Sequence, residues 1–249
     1  MSDLNRKYTF ERFVVGPSNE FAHAAAIAVA KQPAKNLNPL LIYSGTGLGK
    51  THLLHAIGLA IMDSHPDLNV MYVSAEVFMN EMIDSIRYDR MRLFREKYRN
   101  KGCMLIDDVH LLTGKPRTQE EFLHIFNTLH NSERQIVIAS EKFPKDIPHI
   151  EERLRSRFQW GLIAEINLPE IETRIAIIKK KTQEINIHMP DNIMHYIASH
   201  IESNIGELEG FLTLIIAYSS FTKREINIDL VKEILKVLKL DRCSVKHIK

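Results

Sequence analysis

A glycine-rich loop between an apolar segment and a helical pattern constrains this chain more than any other feature. Residues 45–51 have the sequence GTGLGKT and follow the apolar segment PLLIY at 39–43. Three glycines permit backbone conformations that other residues disfavour, so successive amide groups can face phosphate oxygens. Lys50 would neutralise the outer phosphates, and Thr51 would offer its hydroxyl to magnesium at the start of a helix. The pattern therefore predicts a nucleotide site of the P-loop type.

The loop departs from the strict P-loop pattern at one position, because Ser44 stands where that pattern has glycine. Serine tolerates most loop geometries and the other glycines remain, so we expect nucleotide binding to survive. A chance glycine-rich turn is the alternative, and Lys50 and Thr51 between a strand and a helix disfavour it. We assign the phosphate side of the site to Gly45, Thr46, Gly47, Leu48, Gly49, Lys50, Thr51 and His52.

Two adjacent carboxylates, Asp107 and Asp108, end the apolar segment CMLI at 103–106. Ligands bind at the carboxyl ends of strands in open parallel sheets. We expect Asp107 to hold magnesium together with Thr51, and Asp108 to orient and polarise the attacking water. A solvated acidic loop is the alternative interpretation. Many ATPases of this broad class have glutamate at the second position, and the shorter aspartate indicates a slow hydrolase.

Strand and helix patterns alternate over the first two thirds of the chain, which predicts an α/β domain with a parallel sheet covered by helices. Apolar runs predict strands at 39–43, 69–73, 103–106, 135–139 and 162–166. Helical periodicity occupies 52–62, 77–98 and 120–129. After Pro169 only helical patterns of comparable strength follow, at 170–182, 191–202, 205–220 and 229–238. They predict a small helical domain.

The composition of the chain bears on its binding partners and on its cellular compartment. The 33 basic and 31 acidic residues leave a formal net charge of +2, which is too small to indicate nucleic-acid binding, so any DNA contact must be local. Two cysteines, Cys103 and Cys243, are too few for a disulfide framework and indicate a reducing compartment. The amino terminus has no apolar leader, and the longest apolar run is too short to span a bilayer. We expect a cytoplasmic protein.

Four segments resemble signatures of the DnaA family of bacterial replication initiators, and they occur in the family's order. They are KYTFERFVVGPSNEFAHAAAIAVA at 7–30, NPLLIYSGTGLGKTHLLHA at 38–56, IDDVHLLTGKPRTQEEF at 106–122 and RLRSRFQWGL at 153–162. The core of that family is an AAA+ module. The resemblance therefore implies a three-layer αβα P-loop domain over 1–167, an all-α lid over 168–240 and ATP between them. The tail at 241–249 would lead toward a DNA-binding domain that this chain lacks.

The resemblance also assigns roles to residues outside the loop. It implies an adenine-side wall at Val14, Val15 and Asn19. Glu141, which follows Ser140, corresponds to the sensor of the outer phosphate, where the family usually has aspartate. Three catalytic residues are thus implied, namely Asp108, Glu141 and the arginine finger Arg157, which reaches the ATP of a neighbouring subunit. Arg153 corresponds to a second intersubunit arginine.

One departure from the family lies in the lid. The family motif N-x-R-E-L-E-G appears here as NIGELEG at 204–210, so Gly206 replaces the lid arginine that contacts the phosphates. No basic residue nearby in that helix takes its place. The change predicts slow ATP hydrolysis and a weakened lid response, and it leaves the P-loop untouched.

The resemblance further implies a surface for single-stranded DNA. The helical stretch at 74–98 is longer than a simple crossover needs, as in initiators, and Met79 corresponds to an apolar DNA contact. Lys115, Arg117 and Thr118 match basic and hydroxyl contacts, which attract phosphate through charge and donors. Standing alone, the segment GKPRT would indicate an exposed turn. Other implied partners are further copies of the chain in an ATP-dependent head-to-tail oligomer, the replicative helicase or its loader, and, more weakly, acidic membrane lipids.

These observations favour the ATP-binding core of a replication initiator, a slow ATPase that acts as a nucleotide switch with ATP or ADP and Mg²⁺. A natural stand-alone paralogue that regulates the initiator, of the Hda kind, is one alternative. A helicase-loader or clamp-loader ATPase is another. The GKPRT loop and the long insertion favour the initiator, since a helicase loader shares them only in part and a clamp loader should lack them. Chain length leaves an excised core and a short paralogue both open.

Overall fold

A computed structural model describes residues 4–245, with side chains as far as residue 237. Its sheet has five parallel strands in the order β2-β3-β4-β1-β5. The strands are β1 (Leu40–Tyr43), β2 (Val70–Ser74), β3 (Cys103–Asp107), β4 (Gln135–Ser140) and β5 (Leu162–Glu165). Because β4 lies between β3 and β1, the carboxyl ends of these three strands are neighbours at one edge of the sheet. The glycine-rich loop, Glu141 and the aspartate pair all follow those ends.

The chain divides into two compact units, Met1–Asn167 and Leu168–Lys249. The sheet and six helices belong to the first unit. Those helices are α1 (Glu20–Lys31), α2 (Lys50–Ser64), α3 (Ala75–Arg87), α4 (Met91–Arg99), α5 (Pro116–Asn131) and α6 (Glu152–Phe158). Short 3-10 turns lie at Phe10–Arg12, Val109–Leu112 and Pro144–Asp146.

Helices cover both faces of the sheet, and alternating strand residues show which face each one occupies. One face packs against α3, α4, α5 and α6 in a core that contains Leu41, Val73, Met104, Ile106, Ile136, Ile138, Phe78, Phe94, Phe122, Phe126 and Phe158. On the other face, Leu105 approaches α2 so closely that a Cβ on Gly58 would lie 2.7 Å from it. The predicted three-layer αβα domain with a parallel sheet is confirmed.

The second unit is all-helical within the described residues. It contains α7 (Ile171–Glu184), α8 (Asp191–His200), α9 (Ile205–Thr222) and α10 (Ile228–Val245). Arg174 joins α7 to the end of α8, because its Nε donates to the Ala198 carbonyl at 2.9 Å. In the same helix, Ile178 is fully buried and contributes to the small core of this unit.

Two helical predictions differ from the structure. The pattern predicted as one helical stretch over 77–98 is divided between α3 and α4, since Asp89 adopts a left-handed φ of 51° that a helix cannot continue through. Aspartate tolerates this conformation better than most residues. At the other end, the helix predicted over 229–238 is longer in the structure, where α10 continues to Val245. The remaining residues of the predicted tail, 246–249, lie outside the described residues.

Candidate nucleotide site

The glycine-rich loop connects β1 to the first turn of α2. Gly47 and Gly49 have φ values of 72° and 103°, which side chains other than glycine rarely adopt. Gly49 is restricted twice, because a Cβ there would also lie 3.0 Å from the Phe13 ring. Ser44 has no positive φ, and its hydroxyl donates to the Gly45 carbonyl at 2.8 Å. Serine at this position therefore fits the loop without strain.

Lys50 lies inside the curve of this loop and is 6% exposed. Its Nζ donates to the Ser44 and Gly45 carbonyls at 3.1 and 3.0 Å. Burial lowers the pKa of Lys50, and the carboxylates of Glu141, Asp108 and Asp107 oppose this effect. The ammonium group is thus partly desolvated and has only neutral oxygens as direct partners. Phosphate oxygens would compensate it better, which is the chemistry predicted for this residue.

Thr51 and Asp107 meet where the loop faces β3. The Thr51 hydroxyl donates to Asp107 Oδ2 at 2.7 Å, and Tyr72 donates to the same oxygen at 3.2 Å. The backbone N–H of Asp108 donates to Asp107 Oδ1 at 3.0 Å. Asp107 is 2% exposed, so its orientation is fixed from three sides. Adjacent hydroxyl and carboxylate oxygens are the ligands that Mg²⁺ prefers, and their placement fits such an ion.

Asp108, His110 and Glu141 form a second group beside the loop, with ligand-type atoms within 4.8 Å of one another. Asp108 has a left-handed φ of 55°, a conformation that aspartate tolerates better than most residues. Burial, with a smaller contribution from Asp107, raises the pKa of Asp108. Glu141 accepts a hydrogen bond from the Thr46 hydroxyl at 2.8 Å. The carboxylate predicted to be the sensor is therefore hydrogen-bonded to the glycine-rich loop.

The hydrogen bonds of His110 determine whether Asp108, His110 and Glu141 can together bind a metal ion. His110 Nδ1 accepts from the Glu141 backbone N–H at 3.3 Å, which leaves the ring proton on Nε2, 3.6 Å from Glu141 Oε2. An imidazole with Nδ1 engaged and Nε2 protonated has no free lone pair for a metal ion. The arrangement therefore fits the orientation of Glu141 and Asp108 rather than a separate metal centre.

The residues predicted on the adenine side lie in the segment before α1. Asn19 is 2% exposed, accepts from the Gly16 N–H at 2.9 Å and donates to the Val14 carbonyl at 3.0 Å. These bonds hold the segment in a fixed curve, with Val14 half-buried and Val15 exposed. Within the same unit, His52 Nε2 contacts the Thr9 carbonyl at 2.7 Å. The imidazole thus attaches this segment to α2.

The predicted DNA contacts occupy the start of α5 and one position on α3. Lys115 is the N-cap of α5, and Arg117 follows Pro116 in its first turn, with both basic side chains exposed. Thr118 is only 9% exposed, and Met79 is half-buried against the core. The two basic side chains therefore present the accessible charge, beside the free amide groups of a helix amino terminus.

The two arginines predicted to contact a neighbouring subunit lie on α6. Arg153 is exposed and Arg157 is half-buried, and both line an open surface groove of about 650 Å³ with Leu123 and His124 of α5. In the second unit, Gly206 is exposed in the first turn of α9, whose N-cap Asn204 accepts from the Glu207 N–H at 2.7 Å. The lid motif thus forms a regular capped helix start without a cation at position 206.

Sequence reasoning missed several supporting residues because their partners are distant in the chain. Gln119 is 1% exposed, donates to the Leu112 and His149 carbonyls and accepts from the Glu151 N–H at 2.8 Å. It therefore connects the loop before Lys115 to the segment that precedes α6. No local pattern distinguishes this buried glutamine from a surface one, and the same holds for His110.

Comparison with known proteins identifies the family. Residues 4–165 match the model of the bacterial DnaA ATPase domain. The chain is 55% identical over 236 residues to the chromosomal replication initiator protein DnaA of Caldanaerobacter subterraneus subsp. tengcongensis, a match that covers 95% of this chain and 53% of that protein. The chain therefore spans about half the length of this curated relative.

Two solved structures extend the comparison to the fold. Domain III of Thermotoga maritima DnaA superimposes with a TM-score of 0.91 at 43% identity, covering 94% of this chain and 98% of that one. A replication initiator DnaA bound to AMPPCP and single-stranded DNA superimposes with a TM-score of 0.81 at 36% identity, covering 90% and 70%. The sequence match, the shared fold and the loop geometry agree, and this chain belongs to the family of bacterial DnaA ATPase domains.

Proposed function

We propose that this chain is the ATP-binding core of a replication initiator and that it acts mainly as a nucleotide switch. The observation that carries the proposal is the meeting of Lys50, Thr51 and Asp107 at one edge of the sheet, with 2.7 Å between the Thr51 hydroxyl and Asp107. A solved DnaA structure with bound AMPPCP supports nucleotide binding by this chain. Magnesium, held by Thr51 and Asp107, would neutralise charge between the outer phosphates.

Hydrolysis in this proposal is slow. Asp108 orients the attacking water, and Glu141 responds to the outer phosphate through its position beside Thr46. Gly206 supplies no charge from the lid, so the cation that completes the site comes from Arg157 of a second copy. A contact between unlike surfaces of identical chains builds open head-to-tail assemblies. ATP therefore favours assembly, and ADP does not.

The same assembly engages single-stranded DNA through the start of α5. Lys115 and Arg117 contribute charge, and the amino terminus of the helix contributes amide donors. Each subunit makes few phosphate contacts, so appreciable affinity requires several subunits along one strand. The DnaA structure with single-stranded DNA supports this class of ligand. We also propose the replicative helicase or its loader and, more weakly, acidic lipids as partners of the complete cytoplasmic protein.

Fluorescence anisotropy with a labelled single-stranded oligonucleotide tests the DNA surface. We expect binding that strengthens with ATP, depends little on base sequence and weakens with salt, because each neutralised phosphate releases roughly 0.7 of a counterion on single strands. The double variant Lys115→Ala with Arg117→Ala should flatten the salt slope and leave ATP binding intact.

The matched control is Lys31→Ala with Lys35→Ala, which removes the same charge. Lys35 lies near the amino-terminal ends of the strands, since the N–H of its neighbour Ala34 donates to the side chain of Gln135, the first residue of β4. The control should keep the salt slope of the unmodified chain. Equal slopes in all three proteins, or specific binding to duplex DNA, would place the DNA surface elsewhere.

A further inference from the structure

A stack of side chains connects Arg157 to the core of the first unit. The Arg157 guanidinium lies over the Trp160 indole, with Cζ 4.2 Å from the ring centroid. Trp160 stacks on His130 at 4.5 Å and 16°, and His130 is parallel to Phe126 at 6.1 Å and 8°. Trp160 is 55% exposed whereas Phe126 is 1% exposed. The stack therefore leads from the surface to the core in four layers.

The backbone that carries the indole is fixed. The Trp160 N–H donates to the Arg157 carbonyl at 3.3 Å, and the Leu162 N–H donates to the Pro39 carbonyl at 3.0 Å. Between them, a Cβ on Gly161 would lie only 1.9 Å from the Pro39 carbonyl oxygen, so only glycine permits this approach. The backbone of Trp160 is thus held in place just before β5.

The guanidinium has no competing partner among the residues that the structure describes. Arg155 in the same helix is paired with Glu152 at 2.6 Å, whereas Arg157 has no ion pair or side-chain hydrogen bond within residues 4–237. An aromatic face attracts a cation from above its plane. The N–H donors of a guanidinium lie in its own plane, so a contact made through Cζ leaves those donors available to an anion.

We propose that Trp160 is a positioning residue for Arg157: it holds the guanidinium over the indole ring, with its donors free, for the outer phosphate of a nucleotide bound to a second copy of the chain. This inference rests on the proposed action of Arg157 on a neighbouring subunit. Trp160 acts only in the subunit that donates the arginine, and Trp160 of the subunit that binds the nucleotide has no role in this contact.

A pair of complementary variants isolates one such contact. Lys50→Ala lacks the phosphate-binding ammonium and serves as the arginine donor, while Arg157→Ala retains its own P-loop and serves as the nucleotide acceptor. When the two are mixed with ATP and magnesium, Arg157 of the donor can reach the nucleotide of the acceptor. The donor holds no nucleotide and the acceptor has no Arg157, so assembly stops at a heterodimer. Sedimentation velocity measures the amount of heterodimer. Binding of a fluorescent ATP analogue to the acceptor is recorded in parallel.

Trp160→Leu is then introduced into the donor or the acceptor separately. In the donor it should weaken the ATP-dependent heterodimer about two- to fivefold, the range for an exposed cation–π contact. In the acceptor it should change neither the heterodimer nor analogue binding. Trp160→Phe keeps an aromatic face, so in the donor it should restore most of the affinity.

The possible outcomes are distinct. If Trp160→Leu weakens the heterodimer equally in the donor and in the acceptor, Trp160 has a general structural role and the inference is overturned. An unchanged heterodimer with Trp160→Leu in the donor would also overturn it. If the parent pair forms no ATP-dependent heterodimer, the proposed role of Arg157 on a neighbour is wrong, and the inference fails with it. Since Trp160 is the chain's one tryptophan, emission from the donor against a Trp160→Phe acceptor should also change when ATP is added.

Discussion

The phosphate loop and the start of α9 are both glycine-containing segments at helix amino termini, and they differ in charge. At the first, Lys50 is buried among carbonyl groups and Asp107 is fixed by three hydrogen bonds. At the second, Asn204 caps a regular helix, and Gly206 leaves its first turn without a cation. The proposed function therefore assigns nucleotide binding to a segment with a complete set of charges and the response to nucleotide to a segment without a cation.

Loss of the Asp108 carboxylate, which we propose orients the attacking water, should separate ATP binding from ATP turnover most strongly. Asp108→Asn should lower ATP hydrolysis by about a hundredfold or more, which is the usual contribution of a positioned acid or base. ATP binding should remain. Steady-state turnover measures the first quantity, and a fluorescent nucleotide measures the second.

The same substitution should stabilise the nucleotide-free fold near neutral pH. Burial and Asp107 raise the pKa of Asp108 in the folded chain, so ionisation of Asp108 disfavours the fold. This cost is absent below the unfolded pKa and fully present above the folded pKa. Thermal unfolding of Asp108→Asn should therefore show a gain at neutral pH that disappears in acid. The exposed carboxylate variant Asp63→Asn serves as control, and a lower melting temperature with unchanged turnover would refute the assignment.

A cation from a neighbour would compensate for the uncharged lid, and Arg157→Ala tests whether it does. We expect the affinity of ATP-dependent assembly to fall about tenfold or more, because a hydrogen bond between charged groups is lost at each contact. Light scattering across a protein dilution series measures the change. Arg134→Ala removes the same charge at the start of β4, where the Arg134 carbonyl accepts from Asn38, and should leave assembly unchanged. Assembly that persists without Arg157 would contradict its action on a neighbour.

Restoring the lid charge should reduce the difference between the two regions. Gly206→Arg should raise turnover, or the preference for ATP over ADP, by about tenfold or more, the range for one hydrogen bond to a charged group. Gly206→Ala is the matched control, because it adds helix propensity of about 1 kcal/mol without charge. Competition titrations with ATP and ADP distinguish the two variants. Equal behaviour of the two, or no change in either, would show that position 206 is not the lid sensor.

The sheet could be predicted from the sequence almost completely, because each buried parallel strand is a short continuous apolar run. All five predicted strands agree with the structure to within one residue at each end. The division between α3 and α4 was not predicted, since Asp89 interrupts the helix through its backbone conformation while the apolar periodicity continues on both sides.

The sequence could predict that Lys50, Thr51 and Asp107 lie together, and it could not predict the side chains that orient the neighbouring residues. Lys50, Thr51 and Asp107 belong to local motifs whose chemistry is set by spacing and context. His110 meets Glu141 across 31 positions, and Gln119 meets Glu151 across 32. Such pairs depend on the order of strands in the sheet, which brings the ends of β3 and β4 together, and they have no local signature.

Calorimetric titration of the nucleotide-free chain with ATP and magnesium tests the central claim most directly. The unmodified chain should bind ATP, and Lys50→Ala should lose about a hundredfold or more in affinity, because the phosphates lose a desolvated charge partner. Gly206→Ala, titrated alongside, should bind ATP as the unmodified chain does. Equal ATP affinity in the unmodified chain and Lys50→Ala would contradict the assignment of this loop as the nucleotide site.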